Sequence, residues 1–200
     1  EGYNVGKSKV EDDIDEVIER IASLVCDDTH NHKACLRQNG KLILPVDVTT
    51  AKSMDKDAPW EHKTIADVRD DDMILDIGNA TVELMQTQLA GAHTVLWNGT
   101  LGYAEIPHFA HGSARLALWV AQHKSEVNSI IGGGDTADFA LHWDQPHGES
   151  FGHISTGGDA SLDLVAGRGD GHAVQIAPRR GGGGRGVRHL AGVGRGDLYP

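Results

Sequence analysis

Two glycine-rich turns in this chain have the composition of phosphate-binding loops. The first runs from Gly132 to Thr136 after an apolar run, and the second runs from Ser155 to Ser161 after another. Where a buried strand passes through glycines into a helix, bare backbone N–H groups meet at the positive helix N-terminus, which favours an anion. Glycine also lets the backbone approach that anion closely. Two such turns in succession predict an extended polyphosphate site.

The elements that would position these turns alternate along the chain. Apolar runs end at Leu75, Trp97, Ile131 and Ser155, and helical periodicity follows over about 79–91, 108–123 and 135–143, with a short helix ending near Val165. Strands that alternate with helices favour right-handed crossovers and parallel pairing. We therefore predict an α/β fold with three layers, in which helices cover both faces of a mainly parallel, Rossmann-like sheet. The turns, Asn98 and residues 75–78 should share one edge of that sheet.

The flanking segments differ in character. Apolar residues at helical spacing predict a helix over 11–25, residues 26–40 have the composition of a polar loop, and Leu42–Leu44 reads as a buried strand. Residues 47–70 are charged and irregular, which predicts a surface excursion. From Gly167 onward glycine and arginine dominate, and such a composition predicts a disordered tail.

Composition narrows the class of protein. A length of 200 residues suits one domain, and a net charge of −11 argues against nucleic acid or an anionic membrane as a partner. No apolar run is long enough to span a bilayer, and two cysteines are consistent with a reducing compartment, so we expect a cytoplasmic protein. The chain begins at Glu1 rather than at methionine, and we expect it to be part of a longer protein.

Five segments in order resemble the C-terminal, nucleotide-binding domain of phosphoglycerate kinase. They are residues 44–47 (LPVD), 75–78 (LDIG) and 97–99 (WNG), together with the two glycine turns. The order and spacing agree from residue 2 to about 166. The resemblance implies a partial nucleotide-binding domain over 1–166, followed by a tail over 167–200 that is disordered or frame-shifted. The parent would be a monomeric glycolytic enzyme.

The resemblance also implies roles for individual residues. Gly132, Gly133 and Gly134 would contact the nucleotide phosphates through their backbone, Asp135 would bind Mg²⁺, and Thr136 would contact a phosphate oxygen. Asn98 would lie near the phosphates, Glu105 would bind the ribose of ATP or ADP, and Leu75 would line the adenine slot. Gly134 and Gly158 would assist the transfer. Hard carboxylate oxygen suits Mg²⁺. Asp135 and Thr136 could instead be simple helix caps, and both roles can hold at once because the cap and the anion use neighbouring donors.

Several positions depart from the family pattern. Asp159 stands where the second turn should have its third glycine, Thr100 and Asn79 replace prolines, and Ala104 replaces a phenylalanine. A carboxylate about 4 Å from a transferring phosphoryl group would cost roughly 4 kcal/mol at an intermediate dielectric. Asp159 could instead face solvent or cap the helix.

Two functional hypotheses follow. In the first, the chain supplies the Mg-nucleotide site of a kinase that moves a phosphoryl group between 1,3-bisphosphoglycerate and ADP, giving 3-phosphoglycerate and ATP. It would be inactive alone, because 3-phosphoglycerate binds to a basic cluster in the family's N-terminal domain that nothing here matches. In the second, Asp159 makes the chain a non-catalytic nucleotide-binding relic.

Three other patterns predict less. Gly2–Ser8 resembles the end of a P-loop, but no strand precedes it. Residues 26–35 hold Cys26, His30, His32 and Cys35, whose spacing favours a polar loop over a zinc site. A nicotinamide oxidoreductase would share the sheet architecture, but the chain has no G-x-G-x-x-G turn at its start.

Overall fold

The computed structural model describes residues 2–10, 14–25, 42–145, 148–155, 175–178 and 188–191. The chain divides into two compact units. The first comprises Glu1–Gln88 and Glu105–Gly112, and the second comprises Leu89–Ala104 and Ser113–Pro200.

Helices and strands alternate through most of the described chain. In chain order the elements are α1 (Ile14–Val25), β1 (Asp47–Ala51), β2 (Trp60–Thr64), β3 (Met73–Ile77), α2 (Asn79–Leu89), β4 (Thr94–Asn98), α3 (His111–Gln122), β5 (Asn128–Gly132), α4 (Gly134–Trp143), β6 (His153–Ile154), β7 (Gln175–Pro178) and β8 (Arg188–Ala191). Two short 3₁₀ turns, Ile65–Asp67 and Pro107–Phe109, precede β3 and α3 respectively.

The first unit contains an antiparallel sheet with the strand order β2-β1-β3. The central strand β1 is buried from Val48 to Ala51, whereas β2 is largely exposed at the edge. A small apolar core consists of Ala51, Leu75, Ile106 and Phe109. The chain start also joins this sheet, because Gly6 forms an isolated bridge with Met73.

The second unit contains a parallel sheet with the order β4-β5-β6. Because α3 lies between β4 and β5 in the sequence, and α4 between β5 and β6, each parallel pair is joined by a helical crossover. The Trp97 ring of β4 lies edge-on to Phe139 of α4, with 6.0 Å between the ring centroids. Alternate residues of β4 are buried, as expected for a strand packed on one face.

The sequence predicted the α/β class and most of the elements correctly. The helix predicted over 11–25 is described as Ile14–Val25, and the helix predicted over 135–143 begins at Gly134. Parallel pairing is confirmed for β4, β5 and β6. However, β3 pairs with β1 in antiparallel fashion, so the described sheets are mixed in direction. Among the described residues, the edge shared by parallel strands is seen for Asn98, the first glycine turn and Ser155, the first residue of the second turn.

Two predictions on the N-terminal side were wrong. Residues 47–70 contain β1 and β2 rather than an irregular excursion, and Leu42–Leu44 is not a strand. The strand signal was hidden because β1 reads Asp-Val-Thr-Thr-Ala, whose threonines are buried although they are polar. The run before Pro45 is only half-buried and has no strand conformation.

Three further predictions concern residues outside those described. They are the polar loop over 26–40, the second turn beyond Ser155 and the short helix ending near Val165. Within the tail, β7 and β8 pair in antiparallel fashion, with Gln175 opposite Ala191. The disorder predicted for the rest of the tail stays a prediction. Among the described residues, no helix is long and apolar enough to cross a membrane.

Candidate functional site

The parallel pairing of β4 with β5 brings two of the predicted segments together. Asn98, the last residue of β4, lies opposite Gly132, the last residue of β5. Since parallel strands end at the same edge of a sheet, the loop after Asn98 and the first glycine turn start side by side. The WNG segment and the first glycine turn therefore form one local structure in the second unit.

The first glycine turn leads directly from β5 into α4. Gly133 adopts φ 85° and ψ 139°, a conformation that favours glycine, and no side chain caps the helix start. The first backbone bond of the helix runs from the N–H of Ala137 to the carbonyl of Gly133, at 2.9 Å. The N–H groups of Gly134, Asp135 and Thr136 consequently have no carbonyl of a preceding helical turn to bind.

The surface over this helix start is open. Gly134 and Asp135 are exposed, and a Cβ placed on Gly134 would meet no atom within 4 Å. Gly133 is different, because a Cβ there would lie 2.7 Å from Oδ1 of Asn98. The turn thus presents accessible backbone at Gly134 and a close contact with an amide side chain at Gly133.

Hydrogen bonds fix the loop that follows Asn98. The N–H of Gly99 donates to Oγ1 of Thr136 at 2.8 Å, and the indole Nε1 of Trp97 donates to the carbonyl of Gly99 at 2.8 Å. Further along, the N–H of Leu101 donates to Oγ of Ser113 at 2.9 Å. The loop is therefore attached to both α4 and α3.

The carboxylate at this site could bind a metal ion only if a bound ligand supplied further coordinating oxygens. Asp135 offers one exposed carboxylate in the first turn of α4. Within the described ranges, no group of three or more His, Cys, Asp or Glu residues could hold a metal ion. Mg²⁺ commonly binds one or two protein carboxylates and completes its octahedron with substrate phosphates and water. Asp135 fits that mode of binding.

Comparison with known proteins identifies the family. The family model described as phosphoglycerate kinase matches residues 1–168. The chain belongs to the phosphoglycerate kinase family. It is 42% identical over 132 residues to the phosphoglycerate kinase of Staphylococcus saprophyticus, covering 66% of this chain and 33% of that protein. With the enzyme of Enterococcus faecalis it shares 36% identity over 168 residues, covering 84% and 38% respectively.

A solved structure supports the same relationship. The phosphoglycerate kinase of Coxiella burnetii superposes with a TM-score of 0.69 and 32% identity, covering 83% of this chain and 39% of that one. The chain therefore spans between 33% and 39% of the length of these three relatives.

Two residues predicted for the nucleoside of a phosphoglycerate kinase belong to the first unit. Leu75 is only 8% exposed and forms part of the apolar core. Glu105 is exposed and directly precedes the buried Ile106. The residues brought together in the second unit are Asn98, Gly132, Gly133, Gly134, Asp135 and Thr136. Gly158 and Asp159 lie outside the described residues.

Three positions that depart from the family pattern, 79, 100 and 104, are among the described residues. Asn79 begins α2, and its Oδ1 lies 2.9 Å from Nε2 of His111. Thr100 and Ala104 are half-buried. The structure therefore offers a hydrogen bond in place of the proline expected at 79.

Sequence reasoning gave no role to Asp47, which caps α2. Its two carboxylate oxygens accept the N–H groups of Ala80 and Thr81 at 2.9 and 2.8 Å, and the Thr81 hydroxyl donates to it at 2.6 Å. Burial opposes ionisation of Asp47, but these hydrogen bonds outweigh it and lower its pKa. Gly78 leaves room for this cap, since a Cβ at Gly78 would lie 2.2 Å from Cγ of Asp47. In the sequence, Asp47 ends the LPVD segment and Gly78 ends the LDIG segment, and the structure brings these two residues together.

Asp76 plays a similar part at the start of α3. Its buried carboxylate accepts the N–H of Gly112 at 2.9 Å and that of Ile77 at 2.8 Å. Burial raises the pKa of Asp76 although these N–H groups favour the ionised form. A Cβ at Gly112 would lie 2.6 Å from Oδ1 of Asp76, so glycine is required there.

Proposed function

We propose that this chain carries the Mg-nucleotide phosphate site of a phosphoglycerate kinase and corresponds to its C-terminal, nucleotide-binding domain. The observation that carries the proposal is the register of Asn98 with Gly132 at the open start of α4. The segments that meet there, WNG and the first glycine turn, are two of the five that carry the resemblance to the family. We propose ADP and ATP as the ligands.

Backbone amides would do most of the binding. The N–H groups of Gly134, Asp135 and Thr136 lie at the positive end of α4 and lack partners within the helix, so they can donate to phosphate oxygens. Gly132 and Gly133 would keep the backbone close to the phosphates. Asn98 could donate its side-chain N–H₂ from the neighbouring strand end. These fixed dipoles suit phosphoryl transfer, which depends mainly on positioning and electrostatic stabilisation.

The chain has a net charge of −11, so a bound cation would reduce the electrostatic repulsion of a polyphosphate. Asp135 would hold Mg²⁺ with one carboxylate oxygen while phosphate oxygens and water complete the coordination. When bound, Mg²⁺ neutralises charge on the phosphates. Without it, the exposed carboxylate of Asp135 would repel the polyphosphate.

The nucleoside contacts rest on the family resemblance. We propose that Glu105 binds the ribose hydroxyls, for which its exposed carboxylate is suited as a hydrogen-bond acceptor. We propose that Leu75 lines the adenine slot, although most of its side chain is covered by the apolar core.

The parent reaction requires more than this chain. We propose transfer of a phosphoryl group from 1,3-bisphosphoglycerate to ADP in a monomeric cytoplasmic enzyme, with 3-phosphoglycerate bound by the N-terminal domain. Because phosphoryl transfer needs both substrates aligned, this chain should bind nucleotide without catalysing the reaction. We propose no role for nucleic acid or a membrane.

The second glycine turn determines whether the parent is an efficient catalyst. We propose that Gly158 contributes an amide to the transferring group and that Asp159 hinders the transfer by repulsion. In a full-length enzyme bearing this segment, Asp159→Gly should raise the phosphoryl-transfer rate. An unchanged rate would mean that the Asp159 carboxylate does not face the phosphoryl group.

Calorimetric titration of the chain with ADP and Mg²⁺ tests the proposal. We expect saturable binding of one ADP per chain, weakened about tenfold or more by Asp135→Asn, since a Mg²⁺ ligand is lost. Asp138→Asn is the matched control, because Asp138 is an exposed carboxylate on the same helix that pairs only with His142 among the described contacts. No heat at millimolar Mg-ADP would refute the proposal, as would equal losses in both variants.

A further inference from the structure

Both backbone polar groups of Gly99 are hydrogen-bonded to side chains. Its N–H donates to the hydroxyl oxygen of Thr136, and its carbonyl accepts the indole N–H of Trp97, each at 2.8 Å. We infer that Thr136 and Trp97 are positioning residues that hold Gly99, and through it Asn98, against the first glycine turn. This inference rests on the proposed nucleotide site, to which it adds Trp97 and in which it gives the Thr136 hydroxyl a positioning role.

Thr136 is placed to support a loop rather than to face solvent. It is only 1% exposed in the first turn of α4, and its Oγ1 lies on the side of Gly133 that Asn98 occupies, 3.5 Å from where a Cβ on Gly133 would be. The backbone N–H of Thr136 still belongs to the open helix start. One residue thus serves two parts of the site, with its amide directed to the phosphates and its hydroxyl oxygen bound to Gly99.

Trp97 supplies the second attachment from the strand that carries Asn98. Its side chain is 5% exposed and lies edge-on to Phe139 of α4. A buried indole needs a partner for its N–H, and the Gly99 carbonyl provides it. Both attachments of Gly99 are therefore supported by α4, the helix whose start forms the proposed phosphate site.

Gly99 is the residue of this loop that most needs such restraint. Its φ of +102° lies in a region that favours glycine, and a Cβ on it would meet nothing within 4 Å. No side chain at this position restrains the backbone, and a glycine has the largest backbone freedom to lose on ordering. Without its two hydrogen bonds the backbone at Gly99 could rotate, and the side-chain amide of Asn98 would lose its fixed position beside Gly133.

Four substitutions in the 200-residue chain test the inference. Thr136→Val removes the acceptor at almost constant shape, whereas Thr136→Ser retains it. Trp97→Phe removes the indole N–H and retains an aromatic ring. Thr94→Val, at the exposed start of β4, is the control. Each variant is examined for exchange of the Gly99 amide hydrogen by NMR and for affinity for Mg-ADP.

We expect Thr136→Val to speed exchange of the Gly99 amide at least about tenfold and to weaken Mg-ADP binding about tenfold, since one hydrogen bond to a restrained loop is lost. Thr136→Ser should retain both properties within about twofold. Trp97→Phe should shift both in the direction of Thr136→Val. Thr94→Val should change neither.

The outcomes separate this inference from the proposed function. If the unaltered chain does not bind Mg-ADP, the proposed function fails. If it binds but Thr136→Val leaves the exchange of Gly99 unchanged, the inference is overturned even where affinity falls, because Thr136 then acts on the nucleotide directly. Faster exchange with unchanged affinity overturns it too. If Thr136→Val does not fold, Trp97→Phe decides by the same two readouts.

Discussion

Oδ1 of Asn98 lies too close to Gly133 for that residue to carry a side chain. A Cβ on Gly133 would be 2.7 Å from that oxygen, and the φ of 85° at Gly133 would strain any other residue. Glycine at position 133, just after β5, therefore leaves room for the side-chain amide of Asn98 at the end of β4. The WNG segment and the first glycine turn are consequently one structural unit.

The two neighbouring glycines of the turn should respond differently to alanine. Gly133→Ala should destabilise the chain by roughly 1–3 kcal/mol, since it adds both backbone strain and a clash with Asn98. Gly134→Ala should leave stability unchanged or raise it by up to about 1 kcal/mol, because its Cβ meets open space at a helical position. That same methyl group would lie where phosphate must approach.

Urea denaturation and Mg-ADP titration of Gly133→Ala and Gly134→Ala check these expectations. We expect Gly134→Ala to keep a native unfolding curve yet weaken binding about tenfold or more. A Gly134→Ala chain that binds as well as the original would show that phosphate does not approach that backbone.

The cap that Asp47 forms on α2 should be a local stabilising feature. Asp47→Ala removes the acceptor for Ala80 and Thr81 and should lower the free energy of unfolding by about 1–2 kcal/mol. Asp57→Ala in an exposed loop is the control and should change little.

The contact between Asp47 and Gly78 makes a sharper test. A methyl group at Gly78 would clash with the Asp47 carboxylate, so Gly78→Ala should cost more in the original chain than in an Asp47→Ala background. Additive effects in this double-mutant cycle would contradict the close approach of the two residues.

Asp72 is a buried ion-pair residue of the first unit, and its substitution should destabilise the chain. Its carboxylate is 1% exposed and accepts Nζ of Lys63 at 2.7 Å, Nζ of Lys52 at 2.8 Å and the N–H of Arg69 at 2.8 Å. Asp72→Asn should lower the free energy of unfolding by roughly 3 kcal/mol, because a buried positive charge loses its partner. Asp71→Asn, at an exposed carboxylate that also contacts Lys52, should have little effect.

The same residue sets a pH dependence. Burial opposes ionisation of Asp72, but its hydrogen bonds to Lys52 and Lys63 outweigh that effect and hold its pKa well below the ordinary value of 3.8. Its contribution is therefore complete above pH 3.8 and is lost as the pH falls towards the folded-state pKa. Unfolding curves recorded between neutral pH and pH 2 should show a smaller acid-induced loss of stability in Asp72→Asn than in the original chain.

The sequence allowed the parallel part of the fold to be predicted because its signals are local. Apolar runs such as Ile130–Ile131 end at glycines, and a helical pattern follows, so strand, turn and helix are each marked by adjacent residues. The candidate site residues from Gly132 to Thr136 were proposed for the same reason, and their role stays a prediction. Their nearness to Asn98 followed from the rule that parallel strands end at one edge.

The antiparallel sheet could not be predicted in this way. The threonines of β1 look polar, yet Thr49 and Thr50 are each 1% exposed, and the Thr49 hydroxyl lies 2.9 Å from Nδ1 of His62 across the sheet. Such pairing depends on a residue distant in sequence, which no local period reveals. The caps formed by Asp47 and Asp76 are likewise contacts over more than 30 residues.

Chemical-shift mapping of Mg-ADP on the ¹⁵N-labelled chain tests the central claim most directly. Saturable shifts should be concentrated on the backbone amides of Gly133, Gly134, Asp135 and Thr136 and on the side-chain amide of Asn98, and they should diminish in Asp135→Asn. Binding that shifts other amides and leaves those of Gly133 to Thr136 unmoved would contradict the account, as would an absence of any shift at millimolar Mg-ADP.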